Sequence, residues 1–223
     1  MNTLVAILWK DIINELRTKE IVLSMAAFSI VLVVIFNFSL VINKDNISSL
    51  VPSLLWISTI FVGTLGLSRT FAIEKENSAI TGILLSPVDR SMIYFSKVIS
   101  NLLYILIIQF LLLFLFLFMF NINLSGDIAM LIVVMFLGAV GFSTLGTLFS
   151  TMAINTKLRE LLLPVILFPV IIPVIINAVK ATSLIFNGGG YAEISPFLNI
   201  MISFDIIFLV TSALVYEFVV EES

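Results

Sequence analysis

The sequence contains no cysteine and no histidine. The first absence excludes disulfides, thiolate metal sites and a thiol nucleophile, and it leaves the redox compartment open. The second removes the usual general base and the commonest ligand of zinc and haem iron. Charge is scarce as well: charged residues make up 11% of the 223, and 11 Lys and Arg against 14 Asp and Glu give a net charge of −3. A nucleic-acid partner needs a basic surface that this balance does not supply. There is no G-x-x-x-x-G-K-[ST] phosphate loop and no G-x-S-x-G nucleophile turn, so the chain has no Walker site of its own and no serine-hydrolase elbow. No catalytic constellation stands out, and the expectation is a non-enzyme without a resident metal.

What the sequence has instead is apolar length. It is 61% hydrophobic with a mean hydropathy of +1.23, well above the roughly 45–50% of a globular domain. Charges cut it into uncharged runs: Ile21–Asn43, Asn46–Ser68, Val98–Gly126, Ile128–Thr156 and Leu161–Val179, plus Ile194–Tyr216, which only Asp205 interrupts. About 20 apolar residues cross the hydrocarbon. The reading is one all-α integral membrane domain over residues 1–223, with six transmembrane helices near 21–42, 52–72, 98–120, 128–153, 161–179 and 197–216. The six charges between Lys10 and Glu20 are unlike a cleavable signal peptide, so the first span is read as retained.

Orientation follows from Lys and Arg, which are enriched in short cytoplasmic loops. With both termini inside, Lys10, Arg17, Lys19, Arg69, Lys75, Arg90, Lys97, Lys157 and Arg159 are inner and only Lys44 and Lys180 outer. Residues 1–20 place Val5, Leu8, Trp9, Ile12 and Leu16 on one face, opposite Lys10, Asn14, Arg17 and Thr18, as an amphipathic interfacial helix would. Pro164, Pro169 and Pro173 favour kinks in span five. Ala139, Ser143 and Thr147 form a small-residue packing stripe in span four. The Asn187–Gly190 turn residues and Pro196 suggest a short re-entrant or interfacial element on the outer side. Asp205 is the charge within span six and a functional candidate, with Lys180 as its expected partner.

The inner segment after span two runs from Arg69 to Arg90 and mixes Glu74, Lys75 and Glu76 with Ile80, Ile83 and Leu84 at helical spacing before Ser86-Pro87. It reads as a short amphipathic helix along the inner surface, although spacing alone favours an ordinary connector loop whose charges merely anchor it. The pattern Arg69-x4-Glu74-x-Glu76-x-Ser78-x3-Gly82-Ile-Leu-Leu-Ser-Pro87, followed by Tyr94-x2-Lys97, resembles the first cytoplasmic loop of type-2 ABC exporter permeases. The length, the six spans, the amphipathic start, the run Ser68-Arg69-Thr70-Phe71 and the proline-rich Leu163–Pro173 are similar to one family of that class, CcmB, the haem exporter permease of cytochrome c maturation.

That resemblance implies a type-2 exporter fold whose coupling residues are Arg69, Glu74, Lys75, Glu76, Ile80, Gly82, Ile83, Leu84 and Pro87. It implies a separate cytoplasmic CcmA-like ATPase that carries the ATP, and CcmC- and CcmD-like membrane subunits as haem-handling partners. Localisation would be a bacterial or organellar inner membrane. Haem would be a handled ligand rather than a cofactor bound by this chain alone. Alternative readings are an ABC permease for a drug, lipid or glycan, and a non-transporting membrane scaffold of the same complex.

Overall fold

A computed structural model describes residues 3–40, 47–76, 89–122, 126–153 and 159–221. They form α1 (Thr3–Thr18), α2 (Glu20–Leu40), α3 (Ile47–Glu76), α4 (Arg90–Phe120), α5 (Ile128–Ala153), α6 (Arg159–Phe186) and α7 (Tyr191–Glu221), with no strand among the described residues. α2 to α7 are each long and apolar enough to cross a bilayer, so the protein is an all-helical, six-span membrane protein.

The helices outrun the uncharged stretches that mark them. α4 and α7 have 31 residues each, roughly 46 Å at about 1.5 Å per residue, against about 30 Å of hydrocarbon. α6 continues through Lys180 to Phe186. The interfacial element expected around residues 187–190 is therefore absent. The α6–α7 connection is instead a tight turn: Gly188 takes φ 77°, its N–H donates to Ile185 O at 3.0 Å, and Gly189 N–H donates to Leu184 O at 2.8 Å. This pairing satisfies two end carbonyls of α6, and the left-handed residue in it favours glycine. Pro196 lies inside α7. Pro164, Pro169 and Pro173 likewise lie within α6, which remains one unbroken helix, and Pro169 and Pro173 are exposed.

α5 is the central element, packed against α3, α4, α6 and α7. Gly138 leaves room for the Trp56 ring of α3 and Gly146 for Leu67, while Ala139, Ser143 and Thr147 are fully buried, as a packing stripe should be. Trp56 donates from Nε1 to Thr182 Oγ1 of α6 at 3.0 Å, which fixes a ring with no exposed surface.

α1 is separated from α2 by one residue. Lys19 adopts φ 56°, and its N–H closes α1 by donating to Glu15 O at 2.7 Å. The Glu15 carboxylate then caps α2, accepting from Val22 N at 2.8 Å and Ile21 N at 3.4 Å. Ile7 of α1 clusters with Tyr94, Leu148 and Tyr216, so α1 and the C-terminal part of α7 meet at one end of the bundle, called here the proximal face.

Candidate functional site

The proximal part of α4 is where the apolar pattern breaks. Asp89 caps the helix, its Oδ1 accepting from Ser91 N at 2.9 Å. Lys97, Ser100, Asn101 and Tyr104 then follow at three- and four-residue spacing, so they share the faces turned toward α1 and α5. Lys97 donates to Asp11 Oδ2 of α1 at 2.7 Å, Lys10 reaches Asp11 Oδ1 at 3.0 Å, and Ser100 Oγ donates to Oδ2 at 3.4 Å. Tyr104 OH adds a bond to Asp11 O at 3.3 Å, and Asn101 Nδ2 donates to Thr147 Oγ1 of α5 at 2.9 Å. The Lys97 side chain is 3% exposed and that of Asp11 11%. Both charges are largely out of water, where each depends on having its partners in place.

Asp11 and Lys10 stand in one wall of a cavity of about 350 Å³ that opens between α1, the end of α3 and α4. Asn14 and Arg17 line it from α1, Thr70 and Ile73 from α3, and Ser100 and Tyr104 from α4. Thr70 follows Arg69, and Ile73 precedes the acidic residues at the end of α3. The cavity thus sits at the root of the segment singled out in the sequence. α1 contributes three sides to the arrangement: Ile7, Asp11 and Glu15 face the bundle, Lys10 and Arg17 border the cavity, and Val5, Trp9 and Leu16 are 46%, 58% and 67% exposed on the remaining face. The apolar stripe read from the sequence therefore points away from the protein, as an interfacial helix requires.

Of the predicted coupling residues, Arg69 is exposed on α3, and Glu74, Lys75 and Glu76 form its last turn. Ile80, Gly82, Ile83, Leu84 and Pro87 lie outside the described residues. Asp205 sits midway along α7 and is 6% exposed. Its Oδ1 lies 2.7 Å from where a side chain on Gly141 of α5 would begin, so this glycine makes the room for the carboxyl, and Val174 of α6 lies beside it. Neither oxygen has a hydrogen-bond partner among the described residues. The expected pairing with Lys180 is thus corrected. Lys180 is exposed over the Phe197 ring at 5.9 Å, and it lies six residues, about 9 Å along α6, from Val174.

Asp11, Glu15, Lys97 and Tyr104 were not singled out by the sequence as one site. A signal for half of it was present: Asp11 and Glu15 are an acidic pair at i and i+4, a face of their own between the apolar and basic stripes of α1. The matching cation is 86 residues away, and nothing in its local pattern pairs it with α1.

No curated protein matches the chain. A family model does, and over nearly its whole length: residues 2–222 match that of the CcmB protein. With six apolar spans and this coverage, the chain belongs to the CcmB family and is a membrane component of the haem exporter system of cytochrome c maturation.

Proposed function

We propose that the chain is the permease of an ABC complex, that a CcmA-like ATPase docks on the segment from Arg69 to Pro87, and that CcmC- and CcmD-like subunits accompany it in an inner membrane with both termini cytoplasmic. One observation carries this reading, the framing of that segment by two helices that reach most of the bundle. α3 continues past its apolar span to Glu76, and α4 begins at Arg90 with its own cap. Between them these helices touch every other described helix, and the Lys97–Asp11 pair ties α1 to the same place. A displacement of the segment would reach the whole domain through rigid elements. A partner can drive such motion only by contacting the segment differently in its two nucleotide states. Hydrolysis stays with the partner, and this chain carries the movement to haem delivery or release of a haem-loaded chaperone.

In the sequence Glu74 and Glu76 stand at i and i+2, a spacing that does not share one helical face, so at most one of them is expected to meet a docked ATPase squarely. Charge reversal should be asymmetric, with one of Glu74→Lys and Glu76→Lys weakening ATPase copurification and the other leaving binding intact while lowering its hydrolysis rate. Wild-type copurification, hydrolysis and cytochrome c yield for both reversals and for Ile83→Asp would refute the proposal.

A further inference from the structure

Along α7 the buried positions change character at Asp205. Before it they are Ile194, Leu198 and Met201, and after it Ser212 and Tyr216, while Ile206, Ile207, Val210 and Leu214 turn outward and are more than half exposed. α5 changes at the same level. Away from the proximal face its buried residues up to Gly141, the glycine that makes room for Asp205, are Leu131, Val134, Met135, Gly138 and Ala139; toward that face they include Ser143, Thr144, Thr147 and Thr151. The two helices pack on each other, so their hydroxyls share a seam that begins at Asp205 and runs only toward the proximal face. Thr144 stands three residues from Gly141, about 4.5 Å along α5, a span that one bridging water covers. Tyr94 of α4 makes the next step: its OH donates to Thr144 O at 3.0 Å, with the Thr144 and Ser212 hydroxyls beside it, neither of which completes a hydrogen bond among the described residues. The Tyr216 ring lies 5.1 Å from that of Tyr94, and its OH reaches Thr151, two residues before the end of α5.

We infer that Asp205 is a proton-binding site in the bilayer interior, loaded and unloaded from the proximal face alone through the hydroxyls of Ser212, Tyr94 and Thr144. A proton arriving from that face is accepted by one hydroxyl oxygen, which gives its own proton to the next, until the last forms the O–H of the Asp205 carboxyl; release runs the same chain in reverse and leaves every hydroxyl as it was. The helices packed against α7 are α4, α5 and α6, and none turns a charge to the acid among the described residues. α5 has no titratable residue. On α4, Tyr94 belongs to the route and Lys97 is held by Asp11. On α6, Lys180 is exposed over Phe197, and Arg159 and Glu160 stand in the first turn. α7 itself carries Tyr191 and Glu193 at one end and Tyr216 and Glu217 at the other. A metal cation would need several oxygens around it, whereas here a single carboxyl packs against a glycine and a valine. A membrane carboxyl with neither cation nor donor, at the head of a file of hydroxyls, has the composition of a proton relay.

The test uses the full chain in lipid nanodiscs, read by infrared difference spectroscopy at neutral and mildly acidic pH. The C=O stretch of a buried, protonated carboxyl should be present in the wild type and missing in Asp205→Asn. On transfer to D2O the band shifts as the proton exchanges, and the rate of that shift reads the route. Tyr94→Phe and Thr144→Val should keep the band and slow its exchange on the order of a hundredfold, the lower end of what a positioned proton-transfer group contributes. Thr211→Val, which removes an exposed hydroxyl on the outer side of α7, should change neither band nor rate. Should Tyr94→Phe fail to fold, Thr144→Val and Ser212→Ala, whose hydroxyls complete no hydrogen bond among the described residues, carry the same test. A wild-type spectrum without the band, or a band that survives Asp205→Asn, overturns the inference. So does exchange that stays fast in all the route variants, which would mean that the proton enters elsewhere, and so does loss of the band in sodium chloride but not in choline chloride, which would give the acid to a metal cation.

Discussion

Replacing Asp11 by alanine strips the Lys97 ammonium of the carboxylate that makes its burial possible. The pair is 2.7 Å apart with side chains 3% and 11% exposed, so water does little of the screening that weakens surface pairs. Removing one partner of such a pair costs about 3–5 kcal/mol, whereas replacing both by apolar groups of similar size is close to neutral. Lys10, 46% exposed, contributes at most about 1 kcal/mol to the same carboxylate. Asp11→Ala and Lys97→Met should each destabilise by about 3–5 kcal/mol, and the double variant Asp11→Leu/Lys97→Met should recover most of the loss. Denaturation of the detergent-solubilised chain by sodium dodecyl sulfate gives the cycle. The damage should also be local. Because the chain has no native cysteine, Ile7→Cys is a clean reporter of α1, 8% exposed while α1 is seated and open to a thiol reagent once it leaves. A double variant as damaged as the sum of the singles, or an Ile7→Cys that stays unreactive in Asp11→Ala, would refute the reasoning.

Cysteines at Asn46, Asn123 and Asn187 should react with an impermeant reagent from outside the cell and those at Asn77, Asn155 and Ser223 should not; outside labelling of Asn77 rejects the orientation. Gly138→Ala should cost about 1–3 kcal/mol, the usual penalty of overpacking, since its new methyl meets a Trp56 ring pinned by Thr182, and Trp56→Leu in the same chain should relieve it. Unchanged stability of Gly138→Ala would count against this packing. Asp205→Asn should keep the fold, because the carboxyl has no hydrogen bond among the described residues to lose, and should lower cytochrome c maturation; wild-type maturation would mean that the buried acid has no part in function.

The spans were legible because a bilayer penalises charge so heavily that charge positions alone divide the chain. Their ends were less so. Lys180 reads as a boundary in the sequence, yet a long side chain with its ammonium exposed interrupts no helix, and α6 runs on for six residues. The turn residues at 187–190 announced a break but not its size, which the Gly188 cap settles. At the site, amphipathicity located α1 and its outer stripe, since that depends on residues three and four apart. The α1–α4 contact depends on Asp11 meeting a lysine from another span, and periodicity holds no information about which helices become neighbours.

That separation also bears on how the protein is made. Asp11 leaves the ribosome 86 residues before Lys97, roughly 4–17 s earlier at about 5–20 residues per second. Until α4 has entered the membrane Asp11 lacks the Lys97 that ties α1 to the bundle, and Val5, Trp9 and Leu16 suit α1 to wait on the lipid surface meanwhile. Docking of α1 is therefore a late event in assembly, gated by the arrival of α4.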